Sequence, residues 1–154
     1  MARQVTINRM FDAPREVVFR AWTDPKLLAQ WWGPQTFTNP LVELDARPGG
    51  RMLIHMRAPD GTIYPAEGEF HEVIAPERLV FTSTAFDDAD GRPQLVVENT
   101  VTFDDLGEKT LATLNAVVVK ATLAVEEPLS GMEAGWRESW DKLTRLIATQ
   151  LQEN

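Results

Sequence analysis

An α+β fold, one curved antiparallel sheet gripping a long C-terminal helix, is predicted by three features of this 154-residue sequence. The first is the run Gly131 to Leu151. In it Met132, Trp136, Trp140, Leu143, Ile147 and Leu151 recur at spacings of four and three, and so share one helical face. The second is the middle of the chain, Thr38 to Val119, where apolar residues alternate with polar ones and turn residues recur at short intervals. The third is the order of elements: one strand, two short helices, six strands and one long helix, joined by short connections. Short connections demand antiparallel pairing. A sheet of about seven strands and an amphipathic helix bury their apolar faces together if the sheet curves around the helix. This helix-grip arrangement leaves a space between the two layers.

The elements follow in order. Val5 and Ile7 alternate with Gln4, Thr6 and Asn8, giving a half-buried strand from Gln4 to Met10. Phe11-Asp12-Ala13-Pro14 ends it, and Pro14 suits the first position of a short helix with Val17, Val18, Ala21 and Trp22 on its apolar face. Thr23-Asp24-Pro25 starts a second, with Asp24 as cap and Pro25 as first helical residue, ahead of Leu27, Leu28, Trp31 and Trp32. Gly33-Pro34 closes it. Leu41 to Ala46 and Arg51 to Arg57 form a hairpin across Arg47-Pro48-Gly49-Gly50, and Pro59-Asp60-Gly61 makes the next turn. Thr62 to Ile74 is a strand with Gly68 as its expected bulge or bend, and Arg78 to Phe86 returns after Ala75-Pro76-Glu77. Asp87 to Pro93 reads as an exposed loop, and Leu95 to Leu106 with Lys109 to Ala121 as the last hairpin. No linker or repeat divides the chain, so residues 1–154 are read as one domain.

Composition excludes several classes. With no cysteine there is no disulfide, thiolate nucleophile or cysteine-held metal. A net charge of −8 without a basic stripe argues against nucleic acid. No apolar run is long enough to cross a bilayer, and MARQVTINRM lacks a secretory segment, so no membrane association and a cytoplasmic location are expected. No Ser–His–Asp order, phosphate-cradling glycine loop or nicotinamide fingerprint is present. His55 and His71 fall on outward faces, and Asp87-Asp88-Asp90 and Asp104-Asp105 in loops. Glu126 and Glu127 precede the long helix and complement its dipole. No catalytic residue, metal ligand or cofactor is therefore expected.

The candidates for binding are residues that face the space between helix and sheet. Trp31, Trp32, Trp136 and Trp140 either line it or fill it, and the adjacent Trp31 and Trp32 point different ways. Met52, Ile54 and Met56 share one inner face, and methionine suits an irregular pocket and a loose core equally. Asn99 falls on the face of Val97 and Val101, where a bare amide is costly, so it bonds either a neighbour or a ligand. Tyr64 offers a second polar tip; Phe81, Val101 and Met132 complete the apolar set. The entrance is expected near Trp31–Trp32, the Tyr64 strand and the Asp87–Pro93 loop.

Seven motifs in order carry a resemblance over essentially the whole chain. They are Phe11-Asp12-Ala13-Pro14, Ala21-Trp22-Thr23-Asp24-Pro25, Trp31-Trp32-Gly33-Pro34, Arg47-Pro48-Gly49-Gly50, Pro59-Asp60-Gly61, Pro76 to Thr82, and Gly135-Trp136 with Trp140 and Leu143. Together they resemble the family named after the activator of the heat-shock-protein-90 ATPase, within the START and birch-pollen-allergen-related (SRPBCC) superfamily. The resemblance implies a helix-grip fold and, across the superfamily, lipid carriers, cyclases, hydroxylase subunits, receptors and a co-chaperone domain. The leading expectation is a non-enzymatic binder of a small hydrophobic or aromatic molecule. The alternatives are a cyclase- or hydrolase-like enzyme using the same cavity, and a protein-interaction module with a partner of co-chaperone type. That last reading expects an exposed apolar patch, for which Leu53 and Val73 are the sequence hints. A homodimer paired through a strand edge and a monomer stay equally open.

Overall fold

The computed structural model describes residues 3–151; the side chains of Glu127, Pro128, Gln150 and Leu151 lie outside the described residues. One seven-stranded antiparallel sheet runs in the order β1-β7-β6-β5-β4-β3-β2. Its strands are β1 (Gln4–Phe11), β2 (Thr38–Leu44), β3 (Arg51–Arg57), β4 (Ile63–Ile74), β5 (Arg78–Asp87), β6 (Pro93–Asp105) and β7 (Thr110–Ala121). Consecutive strands from β2 to β7 are neighbours, as short hairpins require. The two sheet edges, β1 and β2, are consecutive in sequence and are joined by α1 (Arg15–Thr23) and α2 (Pro25–Leu28). These helices thus carry the chain from one edge to the other under the concave face.

Local chemistry explains the boundaries. The Asp24 carboxylate accepts from the Lys26 N–H at 2.9 Å and caps α2, with Pro25 at its first position. Pro14 occupies the cap of α1, not its first turn, because its ψ of 153° is extended. Gly68 is not a bulge. A Cβ there would come within 2.6 Å of the Thr82 carbonyl oxygen, so the glycine admits a close backbone approach from β5. The register shift falls between Phe70 and Glu72. It reverses the alternation, so Val73 packs against the core instead of facing outward as expected.

After β7 a 3₁₀ turn (Leu123–Val125) and a short α3 (Glu126–Ser130) precede α4 (Met132–Leu146). Glu126 therefore begins a separate helix, and it pairs with Arg3 at 2.7 Å rather than preceding α4 directly. The α-helix ends at Leu146 and passes into a π-helical turn, Ile147–Leu151. Trp140, Leu143 and Ile147 of the expected stripe are buried.

Two apolar clusters of described residues lie in the interlayer. The larger joins Phe11, Phe19, Trp22, Phe70, Phe81, Phe103 and Trp140. The smaller joins Val97, Ala116, Val118 and Leu129 where α3 meets β6 and β7, with Met132 packed against it. No helix among the described residues is long and apolar enough to cross a membrane.

Candidate functional site

Between the two clusters the interlayer is not filled, and side-chain size is the reason. On β4 and β5 the inward positions next to Phe70 and Phe81 pass to small residues: Gly68 faces Ser83 and Ala66 faces Ala85 across the ladder. The first turns of α4 bring Gly135 and Ser139 to the same place. Small side chains thus come from both layers, and a cleft opens.

The inner part of the cleft has a volume of about 210 Å³ and is lined by Trp32, Ser83, Val97, Asn99, Trp136 and Ser139, among others. The outer part, about 680 Å³, is walled by Phe37, Tyr64, Pro65, Phe86, Glu67 and Asp87. The two share Pro34, Met56, Ala66, Thr84, Ala85, Leu95, Met132 and Gly135, so they adjoin as parts of one cleft. Rings mark both ends. At the inner end Trp136 meets Trp32 edge-on at 5.2 Å and stacks on Trp22 at 5.8 Å. At the mouth Tyr64 lies 6.2 Å from both Phe37 and Phe86. Phe86 has a φ of 59°, in the left-handed region that bulky residues rarely adopt.

Asn99 and Ser139 are buried polar residues of the inner wall. The Asn99 amide is the more constrained. Its Nδ2 donates to Ser83 Oγ at 3.0 Å, to Val97 O at 3.3 Å and to Phe81 O at 3.4 Å. Its Oδ1 is buried and has no partner among the described residues. Ser139 donates to the Gly135 carbonyl at 3.0 Å.

The segment from Trp32 to Phe37 forms one side of the cleft and is tied to α4 by polar contacts. Lys142 Nζ donates to the carbonyls of Pro34 at 3.0 Å, Trp32 at 3.3 Å and Phe37 at 3.4 Å. Glu138 accepts from the Gln35 N–H at 3.1 Å, and Arg145 donates to the Gln35 side chain at 2.7 Å. Burial pushes the Lys142 ammonium below its usual pKa; neighbouring Arg145 pushes the same way and Glu138 opposes. Within this segment Gly33 has a φ of 89° and lies under Met56, whose Cε sits 3.0 Å from where a Cβ would be.

Six of the residues singled out in the sequence lie on the cleft: Trp32, Met56, Asn99, Met132 and Trp136 in the inner part, and Tyr64 at the mouth. The other six do not line it. Trp31, Met52, Ile54, Phe81, Val101 and Trp140 are packed in the main core. Trp31 turns away from Trp32 and donates its indole N–H to the Ala21 carbonyl at 3.0 Å, while Trp140 meets Phe11 edge-on at 5.5 Å. Among the lining residues that sequence reasoning passed over, alongside Phe37, Phe86 and Leu95, are the small ones, Ala66, Ser83, Ala85, Gly135 and Ser139. Their signal was a run of small inward positions on β4 and β5, and a glycine beside the tryptophan stripe.

The ionisable lining residues are Tyr64, Glu67 and Asp87. No group of three His, Asp or Glu residues among the described ones could hold a metal. His71 lies on the exposed outer face, hydrogen-bonded to Thr82 Oγ1 at 2.6 Å.

A family model described as activator of Hsp90 ATPase homolog 1-like protein matches residues 12–148. None of the curated proteins compared matches the chain. Among solved structures, a protein from Nitrosomonas europaea is 25% identical with a TM-score of 0.79, over 96% of this chain and 95% of that one. A protein from Arthrobacter aurescens is 29% identical with a TM-score of 0.79, over 98% and 87%. The AHSA1 protein from Silicibacter pomeroyi is 26% identical with a TM-score of 0.76, over 95% and 98%.

Proposed function

We propose that this chain, which belongs to the activator of Hsp90 ATPase homolog 1-like family, binds a small, largely apolar molecule in the cleft between α4 and the sheet. It holds that molecule without transforming it. Entry is at the Tyr64–Phe86 mouth, beside Asp87, and the deep end of the ligand lies against Trp32 and Trp136. Affinity comes from apolar burial, with Met56 and Met132 adapting to its outline.

The observation that carries this reading is Gly135. It lies within α4, needs no left-handed backbone, and a Cβ built on it would meet nothing within 4 Å. A helical glycine is less favourable than alanine by roughly 0.5–1 kcal/mol. The protein accepts that penalty at a position where only the cleft gains from it.

The test is native mass spectrometry of protein purified gently from its own host, compared with the same sample denatured. The expected result is a small-molecule mass lost on denaturation and absent from a Gly135→Leu variant, whose side chain would occupy the cleft. A bare wild-type mass, together with apolar probes whose binding Gly135→Leu leaves intact, would overturn the reading. Exposed Val119 and Leu123 at the end of β7 favour a second reading, a protein-interaction surface; that reading predicts a partner retained by Gly135→Leu.

A further inference from the structure

We infer that the ligand is a neutral apolar molecule carrying a hydroxyl group, which it seats at the inner end of the cleft between Asn99 and Ser83. The inference rests on the binding reading above and specifies its chemistry.

Asn99 is 1% exposed, and the three groups that its Nδ2 faces are all acceptors: Ser83 Oγ, Val97 O and Phe81 O. This fixes the amide orientation. The flipped rotamer would set Oδ1 against two carbonyl oxygens. Oδ1 is thus an acceptor, buried and without a donor. Among the described residues, the other buried polar side-chain atoms without partners belong to Arg15, Trp22, Asn39 and Trp140, none of which lines the cleft. Burying an acceptor unpaired is unfavourable, so a group that arrives with a donor is bound preferentially.

Ser83 narrows the choice. Its Oγ accepts from Asn99, and its own O–H makes no hydrogen bond to any described residue. At the inner end Asn99 Oδ1 therefore lacks a donor and the Ser83 O–H lacks an acceptor among the described residues, and Ser139 Oγ, which donates to the Gly135 carbonyl, keeps its own acceptor capacity. A hydroxyl satisfies the first two, donating to Asn99 Oδ1 while its oxygen accepts from Ser83. A ketone or ether brings no donor, and an ammonium brings no acceptor. A carboxylate brings only acceptors and would face Oδ1 repulsively. It would also find no cation in the lining, whose charged side chains are Glu67 and Asp87, in a chain of net charge −8. Neutrality follows from the same inventory.

Calorimetric titration at neutral pH tests this with 2-naphthol, 2-methoxynaphthalene and 2-naphthoate on wild type, Asn99→Leu and Gly135→Leu. Wild type should bind the naphthol about tenfold more tightly than the methyl ether, and the naphthoate most weakly. Asn99→Leu should remove that preference by weakening the naphthol alone. Gly135→Leu should abolish binding of the naphthol and its ether. If these two bind wild type equally, as they would were a water to satisfy Asn99, the hydroxyl inference falls while the cleft reading stands. If neither binds, or Gly135→Leu changes nothing, both fall. The wild-type comparison decides even if Asn99→Leu does not fold.

Discussion

At one end of the interlayer, β4 and β5 project Phe70 and Phe81 as a cross-strand pair, and β6 adds Phe103 against Phe19 and Trp22. Four residues along the same two strands, the pair is Ala66 and Ala85, and the helix above contributes Gly135 instead of Trp140. Both pairs face inward and both belong to one unbroken sheet. Only side-chain volume differs, and it separates a solid core from a cleft. Alternation decides which face a residue joins; size decides what the face becomes. The two ends are also held differently. Rings interlock at the filled end, whereas the wall of the open end is tied down by Lys142, Glu138 and Arg145.

The largest effect should come from emptying the filled end. Phe103→Ala removes a ring that is 1% exposed and edge-packed on Phe19 at 5.3 Å. It should lower stability by about 3–5 kcal/mol, read from urea unfolding. Filling the open end is the converse. Ala85→Leu adds volume where space already exists, so stability should move by less than about 1.5 kcal/mol, while apolar probes lose their site. Equal destabilisation by the two would mean that the ends do not differ in packing.

The Lys142 tie should have a middling effect. Lys142→Met removes its bonds to three carbonyls and should cost roughly 1–2 kcal/mol. The pH dependence has a definite sign. The folded pKa lies below 10.5, so between that lowered value and 10.5 the unfolded chain binds more protons than the folded one. Wild type should therefore gain stability over that window relative to Lys142→Met, read from urea unfolding at neutral pH and at about pH 10. No gain would show that the ammonium is not desolvated where it crosses the wall of the open end.

This contrast explains what was legible in the sequence. Element order, the Asp24–Pro25 helix start and the tryptophan stripe led to the helix-grip fold, because each depends on local chemistry. Alternation also placed Asn99 beside Val97 and Val101, and all three are buried. The cleft was not legible in the same way. Trp136 and Trp140 stand on one stripe, yet one lines the cleft and the other is sealed in the core, because different strands lie opposite them. The shift after Phe70 was hidden too, since an extra residue in a ladder leaves no mark in composition.

The smallest expected effect is the most informative about the open end, because its sign is unusual. Gly135→Ala places one methyl group in empty space on a helix whose backbone already suits it. Nothing needs to move, and the unfolded chain loses conformational freedom, so the variant should be more stable by about 0.5–1 kcal/mol. The same methyl group narrows the cleft where its inner and outer parts join. Probe affinity should therefore fall as stability rises. Thermal unfolding and probe titration on one sample would read both. A variant that is stabilised and still binds at full affinity would leave the glycine without a role in the cleft. A variant that is destabilised would show that the space over Gly135 is closed in solution, and the contrast between the two ends would lose its physical basis.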